Sequence, residues 1–163
     1  MRLKRHLNSR TIFFTLYYVA FAIYIIVGLQ PAKATNYDVS GSLAIPSIGL
    51  DSDVTSLTLE NRKLETPDTI VGSYSRADNK TLLIGHSTTV FTELNQVELG
   101  DEIMYDGKTY VVNDIYITPK EDIVMEDLLK KSDVDTIVVM TCAGELLGGG
   151  EATHRLIVTA SVR

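Results

Sequence analysis

At 163 residues the chain has room for one ordinary domain, and its single cysteine excludes an intrachain disulfide or a multi-cysteine metal knuckle. Apolar residues make up 45% of it, enough for a packed core, and with no tryptophan and four phenylalanines that core must be built mostly of Ile, Leu and Val. All 21 Asp and Glu lie at or beyond Asp38, so from Thr35 onward 10 Lys and Arg stand against 21 acids, a net of −11, which makes a poor partner for a nucleic-acid backbone.

The basic residues gather at the other end. Arg2, Lys4, Arg5 and Arg10 precede residues 11–29, an uncharged apolar run close to the roughly 20 residues that cross a hydrocarbon core as a helix. With basic residues on that flank alone, the N-terminus is expected in the cytoplasm and the acidic part outside the cell membrane. A cleaved signal peptide is the rival reading, because Ala32-Lys33-Ala34 fits a small-x-small cleavage site, although the run exceeds the roughly 7–15 residues of a usual signal core. Both readings export the acidic domain. The expected organisation is a basic cytoplasmic flank (1–10), a transmembrane signal anchor (11–29), a linker (30–41) and a folded domain (42–163).

Within that domain, residues 42–48 read as a strand interrupted by Pro46, which cannot donate to a ladder and belongs at an edge or a bulge. Residues 53–57 form a second strand, 58–64 a turn or two of helix ahead of Pro67, and 69–74 an extended segment followed by a turn at Ala77-Asp78-Asn79. Residues 81–84 are a buried strand that delivers Gly85-His86-Ser87-Thr88-Thr89 to the place where the chain leaves the core. Apolar residues at 90, 91, 94 and 97 predict about two turns of amphipathic helix, and Leu99-Gly100-Asp101 then turns the chain. Residues 102–105 and 109–117 form a hairpin about Asp106-Gly107, and Pro119 stops its second strand. A short helix is expected over 121–131, with acids in its first turn and Lys130 and Lys131 in its last, as the helix dipole favours. Asp133 and Asp135 are expected in a solvent-facing turn. They lack the further ligands of a calcium loop, so neither a metal nor another cofactor is expected.

Residues 136–142, Thr-Ile-Val-Val-Met-Thr-Cys, are too few and too β-branched for a soluble helix and read as a core strand ending in the thiol. A final strand over 154–162 carries Arg155. Three chemistry-bearing side chains therefore stand at strand ends: His86, Cys142 and Arg155. A thiol with a free pKa of about 8.5 needs a base or a positive charge beside it to become a nucleophile. His86 can supply either, and a guanidinium can hold the charge that develops on a carbonyl oxygen. His154 competes for the role of base, but adjacent residues on a strand face opposite sides, so with Arg155 facing the thiol His86 is preferred. From the residues alone, a Cys142 serving as buried filler and a His86 tied to a neighbouring carbonyl stand as the alternatives.

The same residues resemble the sortases, membrane-anchored cysteine transpeptidases of bacterial surfaces. Val139-Met140-Thr141-Cys142 looks like the family's strand-terminal Thr-x-Thr-Cys or Leu-x-Thr-Cys signature, and residues 81–86, Thr-Leu-Leu-Ile-Gly-His, are similar to the segment bearing the family histidine. Residues 90–95 with Leu99-Gly100-Asp101 match its short helix and turn, Ile45-Pro46-Ser47-Ile48 its opening strand, and Arg155 stands where the family arginine belongs.

The resemblance implies a mainly β fold, a closed eight-stranded barrel with one or two short helices. It also implies cleavage of a Leu-Pro-x-Thr-Gly-like sorting signal between Thr and Gly through a thioacyl intermediate. Cys142 would be the nucleophile, Arg155 the oxyanion partner and His86 the proton donor, with Thr141, Ser87 and Ala143 at the substrate pocket. The implied partners are surface-protein precursors with a C-terminal sorting signal and an amine acceptor from a peptidoglycan precursor or a pilin. A variable loop of about nine residues, 145–153, remains to select the substrate. With neither a long lid ahead of the barrel nor a C-terminal membrane helix, housekeeping anchoring or a specialised class is expected before pilus assembly. A hydrolase using the same site and a surface-anchored β-barrel binding module are the competing functions.

Overall fold

A computed structural model of the chain describes residues 37–60, 64–77, 79–147 and 152–163. The expected anchor, its basic flank and residues 30–36 of the expected linker lie outside the described residues. No helix among those described is long and apolar enough to cross a membrane.

Among the described residues eight strands follow one another: β1 (Val39–Ile45), β2 (Leu50–Ser56), β3 (Val71–Ala77), β4 (Lys80–Ile84), β5 (Glu102–Tyr105), β6 (Lys108–Pro119), β7 (Thr136–Leu146) and β8 (Ala152–Val162). They close into a barrel in the order β1-β2-β3-β4-β7-β8-β6-β5, the mainly β, closed eight-stranded architecture expected. Most neighbours are antiparallel, but β2 with β3 and β4 with β7 run parallel. A parallel pair needs a long crossover; between β4 and β7 it holds the β5–β6 hairpin and one helical turn, α1 (Met125–Leu128). The hairpin closes on Asp106 and Gly107, both at positive φ (49° and 75°), the two-residue turn that matches strand twist.

Strands β4, β7 and β8 are apolar on both faces, which is why their sequences run without alternation. Leu83, Ile137, Val139, Leu156 and Val158 point into the barrel with Leu43, Ile45, Val54 and Ile103. On the reverse face Leu82, Ile84, Val138 and Ile157 are buried under Leu129, with Ile123, Met125 and Leu128 packed against them. Full burial of one such side chain stabilises the fold by roughly 1.5–3 kcal/mol, so the outer layer is a second core that holds the α1 segment against the barrel.

Several expected elements differ. β1 starts at Val39 and stops at Ile45, and Pro46 opens a 3-10 turn, Pro46–Ile48, ended by Gly49 at φ 65°; the proline is a helix-start residue here, and no edge or bulge. The second strand begins at Leu50 and ends at Ser56. In the helix expected over 58–64, residues 58–60 are non-helical and 61–63 lie outside the described residues. The two-turn helix expected over 90–97 is a chain of turns ending in a 3-10 turn, Leu94–Gln96, with hydrogen bonds spanning three residues: Leu94 N–H to Phe91 O, Gln96 N–H to Glu93 O and Val97 N–H to Leu94 O. Phe91, Leu94 and Val97 are all buried, and in this tighter geometry residues three apart lie directly in line on one side.

The helix expected over 121–131 splits into a 3-10 turn, Lys120–Asp122, and α1, separated by extended Ile123 and Val124. Two β-branched residues and the packing of 123, 125, 128 and 129 on the outer layer outweigh the favourable end charges. Asp135 is not free in solvent: its carboxylate takes Lys108 Nζ at 2.6 Å.

Candidate active site

Alternation along three adjacent strands assembles the site. Ile84 on β4 and Ile157 on β8 belong to the outer apolar layer, and Met140 on β7 packs against it. Two residues further on, Cys142 on β7 and Arg155 on β8 lie on the same face by the period of two, and His86, just past the end of β4, joins them. Cys142 and Arg155 are register partners across β7 and β8, and directly opposed residues hold their Cβ atoms roughly 4.5–5.5 Å apart.

His86 follows the end of β4, where two bonds keep the chain against β7: Gly85 N–H donates to the Met140 carbonyl at 3.4 Å, and Thr141 Oγ1 donates to the Gly85 carbonyl at 2.8 Å. The His86 carbonyl then accepts the N–H groups of Thr89 (3.3 Å) and Phe91 (3.0 Å), which fixes the turn carrying the ring.

His86, Cys142 and Arg155 all line one groove of about 830 Å³ on the outer wall of the barrel. Its floor is Ile84 and Met140; Leu59 and Leu64 from the β2–β3 connection and Met125 and Leu129 from the α1 segment form its walls. Cys142 is a free, half-buried thiol. Among the described residues neither its sulfur nor the His86 ring has a hydrogen-bond partner. Arg155 is half-buried and donates through Nη1 to the carbonyls of Ala152 (3.0 Å) and His154 (2.8 Å). A thiol, an imidazole and a guanidinium thus share one groove with largely apolar walls.

The other residues singled out from the sequence are placed differently. His154 pairs with Ala143, which packs against the barrel interior, and its Nδ1 lies 2.8 Å from Thr153 Oγ1; it does not line the groove. Thr141 borders the groove but is buried, and its hydroxyl is spent on the Gly85 carbonyl, so it braces the histidine-bearing turn against the cysteine-bearing strand. Ser87 and Ala143 lie outside the groove lining, because alternation carries residue 143 inward.

The segment expected as a nine-residue loop over 145–153 is shorter. β7 continues to Leu146, which pairs with Ala152, past an irregularity between Ala143 and Leu146. Groove residues missed from the sequence are Leu59, Leu64, Thr66, Tyr74, Arg76, Met125, Glu126 and Leu129; for Leu59 with Leu64 and Met125 with Leu129, an apolar pair on a short segment was the available signal.

A family model described as the Sortase domain matches residues 43–163. Among solved structures the chain is similar to a lid mutant of sortase A from Corynebacterium diphtheriae, with a TM-score of 0.60 at 25% identity over 80% of this chain and 73% of that one. It is similar to sortase C-1 from Actinomyces oris, with a TM-score of 0.56 at 26% identity over 88% and 94%. A Clostridium perfringens sortase D5 transpeptidase shares the fold at 22% identity, with a TM-score of 0.58 over 77% and 79%. No curated protein sequence matches the chain.

Proposed function

Because the chain belongs to the sortase family, a family of cysteine transpeptidases acting on surface-protein precursors, we propose that it transfers the acyl part of a sorting signal to an amine. The signal is of the Leu-Pro-x-Thr-Gly kind, cut between Thr and Gly. The observation that carries this reading is the convergence of His86, Cys142 and Arg155 from three neighbouring strands on one groove.

The Cys142 thiolate attacks the threonine carbonyl and forms the C–S bond, while Arg155 donates to the resulting oxyanion. As the C–N bond breaks, the His86 imidazolium gives its proton to the leaving glycine amine. An incoming amine attacks the thioester, passes a proton to the now neutral His86 and releases the Cys142 thiolate. The groove walls from the β2–β3 connection and the α1 segment hold the apolar part of the signal. In this reading residues 11–29 anchor the chain in the membrane with the basic flank inside, residues 30–36 act as the stalk, shorter than the 30–41 expected because β1 begins at Val39, and the barrel stands at the outer surface, where the amine of a cell-wall precursor or a pilin is the acceptor.

The experiment supplies a sorting-signal peptide together with a glycine-based amine and separates ligated from hydrolysed product. Ligated product that rises with amine concentration at the expense of hydrolysis is the expected result. Hydrolysis unaffected by the amine assigns the site to a peptidase, and no turnover of any signal peptide with an inert Cys142 leaves a binding barrel.

A further inference from the structure

β7 and β8 pair regularly through Cys142 with Arg155 and Ala143 with His154, and the next pair is Leu146 with Ala152. Two residues of β7, Gly144 and Glu145, therefore oppose one of β8, Thr153, which is a one-residue bulge beside the proposed nucleophile. Gly144 has φ 79°, and a Cβ there would lie 2.5 Å from Thr153 Oγ1 and 2.7 Å from His154 Nδ1, so a larger residue fits neither the backbone nor the space. A bulge costs the extra residue its place in the ladder. Here the Glu145 N–H donates to Thr153 Oγ1 at 3.1 Å, and the same oxygen lies 2.8 Å from His154 Nδ1. One hydroxyl thus ties the bulged strand to the residue preceding Arg155.

The Arg155 side chain reaches back along β8, and its Nη1 donates to the carbonyls of His154 and Ala152, which flank Thr153 on either side. One nitrogen of the guanidinium is clamped in this way, and its remaining donors are left for the groove.

We infer that Thr153 is a positioning residue for Arg155: by holding the bulge it keeps the Ala152 and His154 carbonyls at the spacing that clamps Nη1. The inference rests on the proposed role of Arg155 at the oxyanion. It assigns no chemistry to Thr153 itself, which touches neither substrate nor sulfur.

The test compares wild type, Thr153→Val, Thr153→Ser and Arg155→Ala in the full chain. It measures kcat and KM on a sorting-signal peptide, the rate of Cys142 alkylation by iodoacetamide, and Tm. Alkylation at a saturated carbon forms no oxyanion, so it reports the thiolate and not the arginine. Thr153→Val keeps size and branching and is expected to lower kcat about tenfold with KM within about twofold; its alkylation rate stays that of wild type, and Thr153→Ser recovers kcat. Wild-type kcat in Thr153→Val, a parallel loss of alkylation, or Thr153→Ser as slow as the valine variant each overturns the inference. Undiminished kcat in Arg155→Ala overturns the catalytic reading of the arginine and the inference with it, whereas loss in Arg155→Ala alone overturns only the inference. Should Thr153→Val fail to fold, the wild type decides: a clamped Nη1 gives separate NMR signals for the two Arg155 Nη groups, and one averaged signal contradicts the clamp.

Discussion

Cys142 lies directly across from Arg155 and on the face that His86 reaches from β4, so each side chain has a separable expected effect. Cys142→Ala removes the only thiol of the chain at a half-buried position; it is expected to abolish cleavage and transfer while the barrel still folds, read by product analysis and by an unchanged circular dichroism spectrum. Arg155→Ala is expected to slow acyl transfer by about 10²-fold or more, the scale of losing an oxyanion donor, with single-turnover kinetics as the check. Thr141 is tested through stability: Thr141→Val leaves the buried Gly85 carbonyl without its donor, at a cost of about 1–3 kcal/mol. Thr141→Ser, which keeps the hydroxyl, is expected to restore most of the loss in urea unfolding.

At the scale of elements, the turn after β4 decides where His86 stands. A Cβ at Gly85 would lie 2.5 Å from Val90 Cγ1 and 2.8 Å from the ring of Phe91, which is 1% exposed. Gly85→Ala is therefore expected to destabilise the domain by about 1–3 kcal/mol, as overpacking does, and to slow turnover by shifting the histidine; thermal melts and peptide cleavage read the two effects. The three residues of the site were legible in the sequence because each closes or opens a β-branched run, and the hairpin was legible because Asp106-Gly107 is local turn chemistry. The apolar spacing at 91, 94 and 97 was legible too, but its period of three belongs to a 3-10 turn, and a window that short does not separate it from 3.6. The groove walls were not legible. Leu64 and Leu129 meet the outer face of β4 and β7 only through the tertiary fold, and the parallel pairing that brings residue 85 beside residue 141 spans 56 positions with no local signature. The strand expected to end at Cys142 continues to Leu146 through a bulge at Gly144 and Glu145, because what holds it there is a hydroxyl on the neighbouring strand.

At the scale of the whole molecule, the groups with shifted proton affinity among the described residues lie away from the groove and all shift the same way. Tyr105, Tyr110 and Tyr116 are raised above their ordinary 10.0, in each case chiefly by burial. Lys108 is raised above 10.5, chiefly by its hydrogen bond to Asp135. Each group holds its proton more tightly folded than unfolded, so the unfolded chain releases protons first as the pH rises. Stability is expected to be level with respect to these groups below about pH 10 and to fall above it. Tm followed from pH 8 to 11 checks this, and Asp135→Asn is expected to soften the decline by removing the anion beside Lys108 and Tyr110. Transfer by this molecule turns on one bond, between the sulfur of Cys142 and a peptide carbonyl. Incubating the full chain with a Leu-Pro-x-Thr-Gly peptide, quenching in acid and taking the intact mass tests it most directly. The expected result is an adduct equal to the peptide's acyl part ending at threonine, located on Cys142 and released by hydroxylamine. Peptide cleavage that persists in Cys142→Ala, with no adduct on the wild-type sulfur, contradicts it.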